Sequence, residues 1–190
     1  MLLHFRYTMG PYRAFLTGEP ASGKTTVVMR VCERLEKTGM RFGGIISREI
    51  RQNGIRVGFS LEDILTHETG VLAHVDQKDG PQIGKYRVNL TDIERLGTTA
   101  IIQAARSSDL VVVDEIGPME LHSIPFIDAV KTALASPKHF VGTIHKRAAH
   151  SLVTAIKSNS AYAVFEVTRE NRDLLPVTIL EQLRRAMRYV

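Results

Sequence analysis

The chain has one cysteine and no tryptophan among its 190 residues. A single cysteine cannot form a disulfide within the chain, and Cys32 stands at helical spacing from Val28 and Leu35, which indicates a buried apolar position. Long hydrophobic runs are also missing, since the longest are strand-length pieces such as LVVV, far below the roughly 20 residues that span a bilayer. No charged and apolar leader opens the sequence. We therefore expect a soluble, cytoplasmic protein without a membrane segment.

The composition is that of a globular protein, with 44% hydrophobic and 24% charged residues. We expect one domain over residues 1–190, with residues 1–11 as an N-terminal extension. The formal net charge of +5 permits attraction to a polyanion such as nucleic acid. The basic residues are scattered, however, and the densest group, Arg184, Arg185 and Arg188, is typical of an exposed helix face. Binding to nucleic acid is therefore only weakly supported.

Strand-like and helix-like segments alternate along most of the chain. Thr91 and Glu94 match a capping box for one of the helices. Short apolar strands separated by amphipathic helices favour an α/β fold, in which a mostly parallel sheet carries helices on both faces. The strand patterns fall at residues 12–17, 110–114, 140–144 and 163–168, and the helix patterns at 24–37, 91–106, 124–135, 147–158 and from about Pro176 onward.

Residues 45–90 depart from this alternation. Asn53 and Gly54 separate the strand-like segments IISREI and IRVGFS, and an Asn-Gly pair is the strongest short-range signal of a β-hairpin. A second hairpin-like region ends in YRVNL, residues 86–90. We therefore predict an antiparallel elaboration over residues 45–90 at the edge of the parallel sheet.

The segment GEPASGKT, residues 18–25, matches the phosphate-binding pattern G-x-x-x-x-G-K-[ST]. It follows a predicted strand and opens a predicted helix, as a phosphate loop requires; a simple glycine turn before a helix is the alternative. Gly18 and Gly23 would let backbone N–H groups surround phosphate oxygens near the positive end of the helix. Lys24 would neutralise the β and γ phosphates, and the Thr25 hydroxyl would bind Mg²⁺.

Two acids, Asp114 and Glu115, follow the apolar run LVVV. Because ligands of parallel sheets gather at the carboxyl ends of strands, Asp114 is expected beside Thr25, where it would help to hold the metal. Glu115 points the other way on an extended chain and is a candidate to orient or deprotonate the attacking water. Lys24 and Glu115 are therefore the candidate catalytic residues.

The same acids also fit a different class of nucleotide-binding protein. Asp114 to Gly117 matches the D-x-x-G of signalling GTPases, but no N-K-x-D or T-K-x-D tetrapeptide follows it. An acid directly after Asp114 fits better the class with an additional strand and a catalytic glutamate. In that class the strand 140–144 would lie between the two strands of the phosphate site, and Thr143 becomes a candidate γ-phosphate sensor.

Four segments occur in a characteristic order: FLTGEPASGKTT; REIRQNGIRVGF; GKYRVNL with VVVDEIGPMEL; and FEVTRENRDLLP. Together they resemble the THEP-type nucleoside-triphosphatases, the family that includes the cancer-related nucleoside-triphosphatase of animals. The resemblance covers nearly everything after the first dozen residues. It implies a RecA-like P-loop core that hydrolyses ATP, GTP, CTP and UTP to the diphosphate and phosphate, with Mg²⁺ and little base preference.

The predicted nucleotide site combines the phosphate loop with the segment around residues 109–116, which the resemblance implies, and one arginine. Arg51, Arg56 and Asn171 also match family positions, but Arg172 is the first candidate for nucleotide contact. The predicted site residues are Gly18, Glu19, Pro20, Ala21, Ser22, Gly23, Lys24, Thr25, Thr26, Asp109, Leu110, Val111, Val112, Val113, Asp114, Glu115, Ile116 and Arg172.

Two segments depart from the family pattern. Residues 19–22 are Glu-Pro-Ala-Ser, where the family usually has Pro-Pro-Gly-Val, and the acid Glu19 is expected to weaken affinity for a polyphosphate. After the strand ending in GTI, where the family is often proline-rich, this chain has His145, Lys146 and Arg147.

Two other functions stay open on the sequence. Phosphate loops serve nucleotide or small-molecule kinases equally well, with the arginine-bearing hairpin as a lid. A regulatory switch, whose NTP hydrolysis times its action on a nucleic acid or protein, is the other alternative. The sequence gives no indication of an oligomeric state.

Overall fold

A computed structural model describes residues 10–187 of the chain. Most of the predicted extension over residues 1–11 lies outside this range, as does Arg188. The strands are β1 (Arg13–Thr17), β2 (Phe42–Gln52), β3 (Ile55–Asp63), β4 (Thr69–His74), β5 (Gln82–Ile83), β6 (Tyr86–Val88), β7 (Leu110–Ile116), β8 (His139–Ile144) and β9 (Ala163–Glu166). The helices are α1 (Lys24–Glu36), α2 (Leu90–Asp92), α3 (Thr99–Ser107), α4 (Ile124–Ala135), α5 (Ser151–Ser158) and α6 (Leu175–Met187); a π-helical segment (Ile93–Thr98) joins α2 to α3, and a 3-10 turn (Glu120–His122) precedes α4.

All the strands belong to one nine-stranded sheet in the order β5-β6-β4-β3-β2-β7-β8-β1-β9. The strands from β2 to β9 in this order pair in parallel, whereas β3, β4, β6 and β5 extend the sheet by antiparallel pairing. Strand β8 lies between β1, which precedes the phosphate loop, and β7, which carries Asp114. This confirms the α/β, RecA-like arrangement, including the strand inserted between the two strands of the phosphate site.

The parallel part of the sheet is buried on both faces. Along β7, Val111 and Val113 face one core, which α3, α4 and α5 cover, and Leu110 and Val112 face the other, which α1 and α6 cover. A strand that packs on both sides needs apolar residues at every position, which explains the unbroken run LVVV. Among residues 10–187, no helix is long and apolar enough to cross a membrane.

The hairpin of β2 and β3 is closed by the predicted two-residue turn. Asn53 and Gly54 have positive φ angles of 49° and 78°, as an Asn-Gly hairpin turn requires, and Gln52 pairs with Ile55. Strand β2 begins before the predicted antiparallel region, at Phe42. Its residues Phe42 to Ile46 pair in parallel with Leu110 to Asp114 of β7. The beginning of β2 thus belongs to the parallel sheet, and its continuation carries the hairpin past the end of β7.

Two predicted helix starts are wrong. Asn89, and not Thr91, caps the helical segment after β6: its Oδ1 accepts a hydrogen bond from the Asp92 N–H (3.2 Å), and its Nδ2 donates to Asp92 Oδ2 (3.1 Å). An Asn with an Asp three residues later therefore replaces the predicted Thr-Glu box. Helix α5 begins at Ser151 and not at residue 147, which leaves residues 145–150 as a loop after β8.

Gly44 provides a test of the pairing between β2 and β7. It has a φ of 119°, and a Cβ there would lie 2.0 Å from the carbonyl oxygen of Val112. We expect Gly44→Ala to lower the free energy of unfolding by roughly 3 kcal/mol or more, because both the φ angle and the neighbouring strand oppose a side chain. Gly39→Ala is the matched control, since Gly39 has a φ of 75° but no heavy atom within 4 Å; we expect it to cost about 1 kcal/mol. Urea unfolding followed by circular dichroism measures both, and equal losses would contradict the close approach.

Candidate active site

The phosphate loop leaves β1 at Thr17 and turns tightly into α1. Gly18 and Ala21 have φ angles of 151° and 60°, and the Ser22 N–H donates to the Glu19 carbonyl (3.1 Å). A Cβ on Gly18 would lie 2.7 Å from the carbonyl oxygen of Val167. The end of β9 therefore packs directly against the loop, and the first glycine is required by this contact.

Helix α1 presents free N–H groups to the loop. Its N-cap, Gly23, provides no side-chain hydrogen bond, and its first turn contains no acid. Such a helix end attracts an anion, because its first N–H groups have no partner in the helix and carry partial positive charge. The Lys24 ammonium bends back toward the loop and donates to the Gly18 carbonyl (3.3 Å).

Asp114 is a buried carboxylate in the last part of β7. Its exposed fraction is 1%, and its Oδ1 accepts a hydrogen bond of 2.6 Å from the Thr143 hydroxyl of β8. Its Oδ2 is also buried and has no hydrogen-bond partner among the described residues. Burial raises the pKa of Asp114, and the hydroxyls of Thr143 and Thr25 act in the opposite direction. The structure thus brings Thr25 and Asp114 together, and it gives the Thr143 hydroxyl a partner other than a phosphate.

Glu115 faces the phosphate loop from the next position of β7. Its Oε1 lies 3.9 Å from Lys24 Nζ, and its side chain is 25% exposed. Burial raises the pKa of Glu115, the Lys24 charge lowers it, and the neighbouring Asp114 raises it. The carboxylate is therefore a stronger proton acceptor than an exposed glutamate, and its buried Oε1 has no hydrogen-bond partner among the described residues.

Glu120 is a third acid at this site, and the sequence analysis missed it. It is 4% exposed, and its Oε2 accepts a hydrogen bond from the Gly117 N–H (3.1 Å). A Cβ on Gly117 would lie 3.2 Å from Glu120 Oε2 and 3.3 Å from Glu115 Oε2, so both carboxylates approach the same small space. Burial, followed by the charge of Glu115, raises the pKa of Glu120 to about 8. The signal available in the sequence was a further acid, Glu120, three residues after Gly117.

Arg48 is a cation that the sequence analysis did not connect with the site. It lies two residues after Ile46, which pairs with Asp114, and its charge lowers the pKa of that carboxyl. Its Nε donates to Glu62 Oε2 (3.0 Å) on β3. Only the register of β2 against β7 brings it there, so no local pattern in the sequence marks it.

The two ends of the predicted segment 109–116 lie at opposite edges of the sheet, because β7 runs between them. Asp109 lies before the strand, at the end of the sheet opposite the loop, where it forms an ion pair with Arg41 (3.2 Å). The side chains of residues 110–113 are fully buried in the two cores. Only Asp114, Glu115 and Ile116 lie at the carboxyl end of β7 beside the loop, and the Ile116 carbonyl accepts from the His145 N–H (3.3 Å). We therefore leave residues 109–113 out of the candidate site.

Among the candidate arginines, Arg172 lies beside the phosphate loop, whereas Arg51 and Arg56 lie on the hairpin. The Arg172 side chain packs on the loop, since a Cβ on Gly23 would lie 3.2 Å from its Cδ. Asn171 organises this turn by donating to the Glu166 carbonyl (2.8 Å) and accepting from the Thr168 N–H (2.9 Å). Arg51 and Arg56, by contrast, bind Glu49 on the hairpin. Of the remaining loop residues, Glu19, Pro20, Ala21 and Thr26 are exposed.

The raised pKa of Glu120 predicts how stability depends on pH. Its pKa in the folded state, about 8, exceeds the ordinary value of 4.5, so the folded state holds this proton more tightly. The resulting stability is complete below pH 4.5 and is lost as the pH rises through 8. Glu120→Gln cannot ionise, and we expect it to match the wild type at pH 4.5 and to be more stable by roughly 2–5 kcal/mol at pH 9. Urea unfolding at both pH values, with the exposed Glu68→Gln as control, measures this; parallel pH profiles for the wild type and Glu120→Gln would contradict the buried, protonated acid.

Comparison with known proteins places the chain in one family, with matches that cover most of its length. A family model described as NTPase matches residues 13–180. The chain is 44% identical over 176 residues to the nucleoside-triphosphatase THEP1 of Methanosarcina acetivorans, an alignment that covers 92% of this chain and 98% of the relative. It is 42% identical over 169 residues to the nucleoside-triphosphatase THEP1 of Thermofilum pendens, covering 88% and 93% of the two chains.

Solved structures agree with this assignment. The crystal structure of THEP1 from the hyperthermophile Aquifex aeolicus superimposes with a TM-score of 0.81 at 32% identity, covering 90% of this chain and 98% of that one. The solution structure of a human cancer-related nucleoside triphosphatase gives a TM-score of 0.77 at 34% identity, covering 92% and 98%. With the phosphate loop and the acid pair in contact, the chain belongs to the THEP1 nucleoside-triphosphatase family.

Proposed function

We propose that this chain is a Mg²⁺-dependent nucleoside-triphosphatase that acts as a single domain and converts ATP, GTP and other NTPs to the diphosphate and phosphate with little base preference. One observation carries the proposal: the phosphate loop with Lys24 and Thr25 faces Asp114 and Glu115 at the end of β7. The assignment of each residue to a role rests on this geometry.

The loop and the start of α1 bind the triphosphate. The free N–H groups after Gly23 donate to phosphate oxygens, and Lys24 exchanges its contact with the Gly18 carbonyl for the β and γ phosphates. These groups recognise phosphate rather than base, which supports low base specificity. Arg172, beside Gly23, is positioned to contact the nucleotide from the C-terminal side.

The chemistry of Thr25 and Asp114 fits a magnesium ion. A buried carboxylate oxygen without a partner next to a hydroxyl is a pair of hard oxygen ligands, and phosphate oxygens and water would complete the shell. Mg²⁺ bound here would neutralise charge on the β and γ phosphates. Thr143 holds Asp114 in place through its hydroxyl.

Glu115 accepts the proton of the attacking water. The water oxygen forms a bond to the γ phosphorus, the bond from that phosphorus to the bridging oxygen breaks, and the diphosphate leaves with the electron pair. The proton passes from Glu115 to the released phosphate or to solvent. The raised pKa of Glu115 favours this transfer, and its Oε1, which has no hydrogen-bond partner among the described residues, supports a role in accepting from the water.

Glu115→Gln tests the role of the base. We expect turnover to fall by roughly 10²- to 10⁴-fold while Mg-nucleotide binding is retained, because the amide cannot accept the proton but preserves the shape. Phosphate release and nucleotide binding by calorimetry measure the two properties separately. Glu68→Gln, on the antiparallel extension, is the matched control and is expected to hydrolyse at the wild-type rate. Unchanged hydrolysis in Glu115→Gln would remove Glu115 from the mechanism.

Substrate range and metal dependence need a second experiment. We expect the wild type to release phosphate from ATP, GTP, CTP and UTP at rates within about tenfold of one another, and EDTA to abolish the release, since the site addresses the phosphates and the metal. ATP labelled at the γ phosphate and incubated with candidate acceptors distinguishes a kinase. Label only in inorganic phosphate supports hydrolysis, whereas label in an organic product would establish the kinase alternative.

A further inference from the structure

A basic pair, Lys146 and Arg147, follows β8 in the loop that precedes α5. The two side chains are 37% and 76% exposed, so neither is part of a core. Both form ion pairs with the same acid, Glu19 of the phosphate loop, at 3.2 Å from Lys146 and 3.3 Å from Arg147. Glu19 therefore links the loop after β8 to the loop that is proposed to hold the triphosphate.

The segment directly before this pair contacts the end of β7. Thr143, four residues before Arg147, donates to Asp114, and the His145 N–H donates to the Ile116 carbonyl. Burial and then the Lys24 charge lower the pKa of His145, the residue before Lys146. Residues of both loops line a cavity of about 160 Å³: Gly18, Glu19, Pro20, His145, Lys146 and Arg147.

The two cations are held differently. Lys146 also contacts Glu166, and its carbonyl accepts from Lys157, so it is fixed from several sides. Among the described residues, Glu19 is the only acid that pairs with Arg147. An arginine with a single exposed carboxylate partner is held weakly, because such a pair contributes little in water.

We propose that Arg147 is a second cation, besides Lys24, that this chain supplies to the γ phosphate, and that Glu19 holds it beside the loop until a nucleoside triphosphate binds. This inference rests on the proposed hydrolysis. A triphosphate offers more negative charge than one carboxylate, and its oxygens match the planar donors of a guanidinium. Arg147 then exchanges Glu19 for the γ phosphate and stabilises the charge that develops there during transfer.

Arg147→Ala tests the proposal. We expect kcat to fall by roughly 10²-fold or more, since an arginine at the developing charge contributes up to 10³- to 10⁵-fold, with binding of the nucleoside diphosphate unchanged. Arg147→Lys keeps the charge but not the paired donors, and is expected to recover part of kcat. Arg41→Ala removes an arginine that is paired at the opposite end of the sheet, and is the matched control.

Glu19→Gln separates a catalytic from a structural role. If Glu19 pairs with Arg147 only while no triphosphate is bound, Glu19→Gln releases the arginine and removes a negative charge from the loop. We therefore expect KM for the triphosphate to fall several-fold. If Glu19→Gln loses as much kcat as Arg147→Ala, the ion pair serves to hold the two loops in place, and this result would overturn the proposal. A kcat for Arg147→Ala within threefold of the wild type would do so as well.

The failure of this inference is distinguishable from the failure of the proposed function. Wild-type hydrolysis that is lost in Lys24→Ala and Glu115→Gln but kept in Arg147→Ala would reject only the role of Arg147. Absence of wild-type hydrolysis would reject the function itself. Unchanged thermal unfolding midpoints for Arg147→Ala and Arg41→Ala are expected, because both arginines are mostly exposed, and they exclude a folding defect.

Discussion

The site depends on one carboxylate, Asp114, that is kept almost entirely from water at the end of a buried strand. A charge without compensation in such a place costs several kcal/mol, and here the compensation is incomplete. Thr143 satisfies one oxygen, and the Thr25 hydroxyl and the charges of Lys24 and Arg48 also favour the ionised form. Oδ2 nevertheless has no partner at hydrogen-bond geometry among the described residues. A metal-bound triphosphate would provide what is missing. Ligand binding should therefore stabilise the fold as well as occupy the site.

Much of this arrangement could be predicted from local sequence, because the groups concerned are marked by short patterns. GEPASGKT specifies a loop between a strand and a helix, and an apolar run that ends in two acids specifies the strand beside it. The class of P-loop protein with an acid directly after Asp114 then predicts the position of β8 between β1 and β7, and the pairing confirms it. The Asn53-Gly54 turn is likewise a local signal, and its two positive φ angles follow from the residue types.

The errors and omissions arise where the answer depends on contacts between distant segments. The helical segment after β6 is capped by Asn89 and not by Thr91, because Asn89 is in position to exchange hydrogen bonds with Asp92. Arg48 acts on Asp114 because the register of β2 against β7 pairs Ile46 with Asp114, and these positions are far apart in the sequence. The predicted site includes Asp109 because the family resemblance implies the continuous range 109–116. That range spans β7, and the two ends of a strand lie at opposite edges of the sheet.

The direction of the parallel strands explains why so many charged groups meet in one place. Strands β1, β7, β8 and β9 are parallel neighbours, so the segments that follow them all emerge at the same edge. Each segment brings its own group there: Lys24 after β1, Glu115 at the end of β7, Arg147 after β8 and Arg172 after β9. Arg41 and Asp109 lie at the other edge, where they neutralise each other as a surface pair. The loops at the carboxyl edge can therefore differ in sequence, as residues 19–22 and 145–147 do here relative to the family pattern, while the parallel strands keep these loops at the same edge of the sheet.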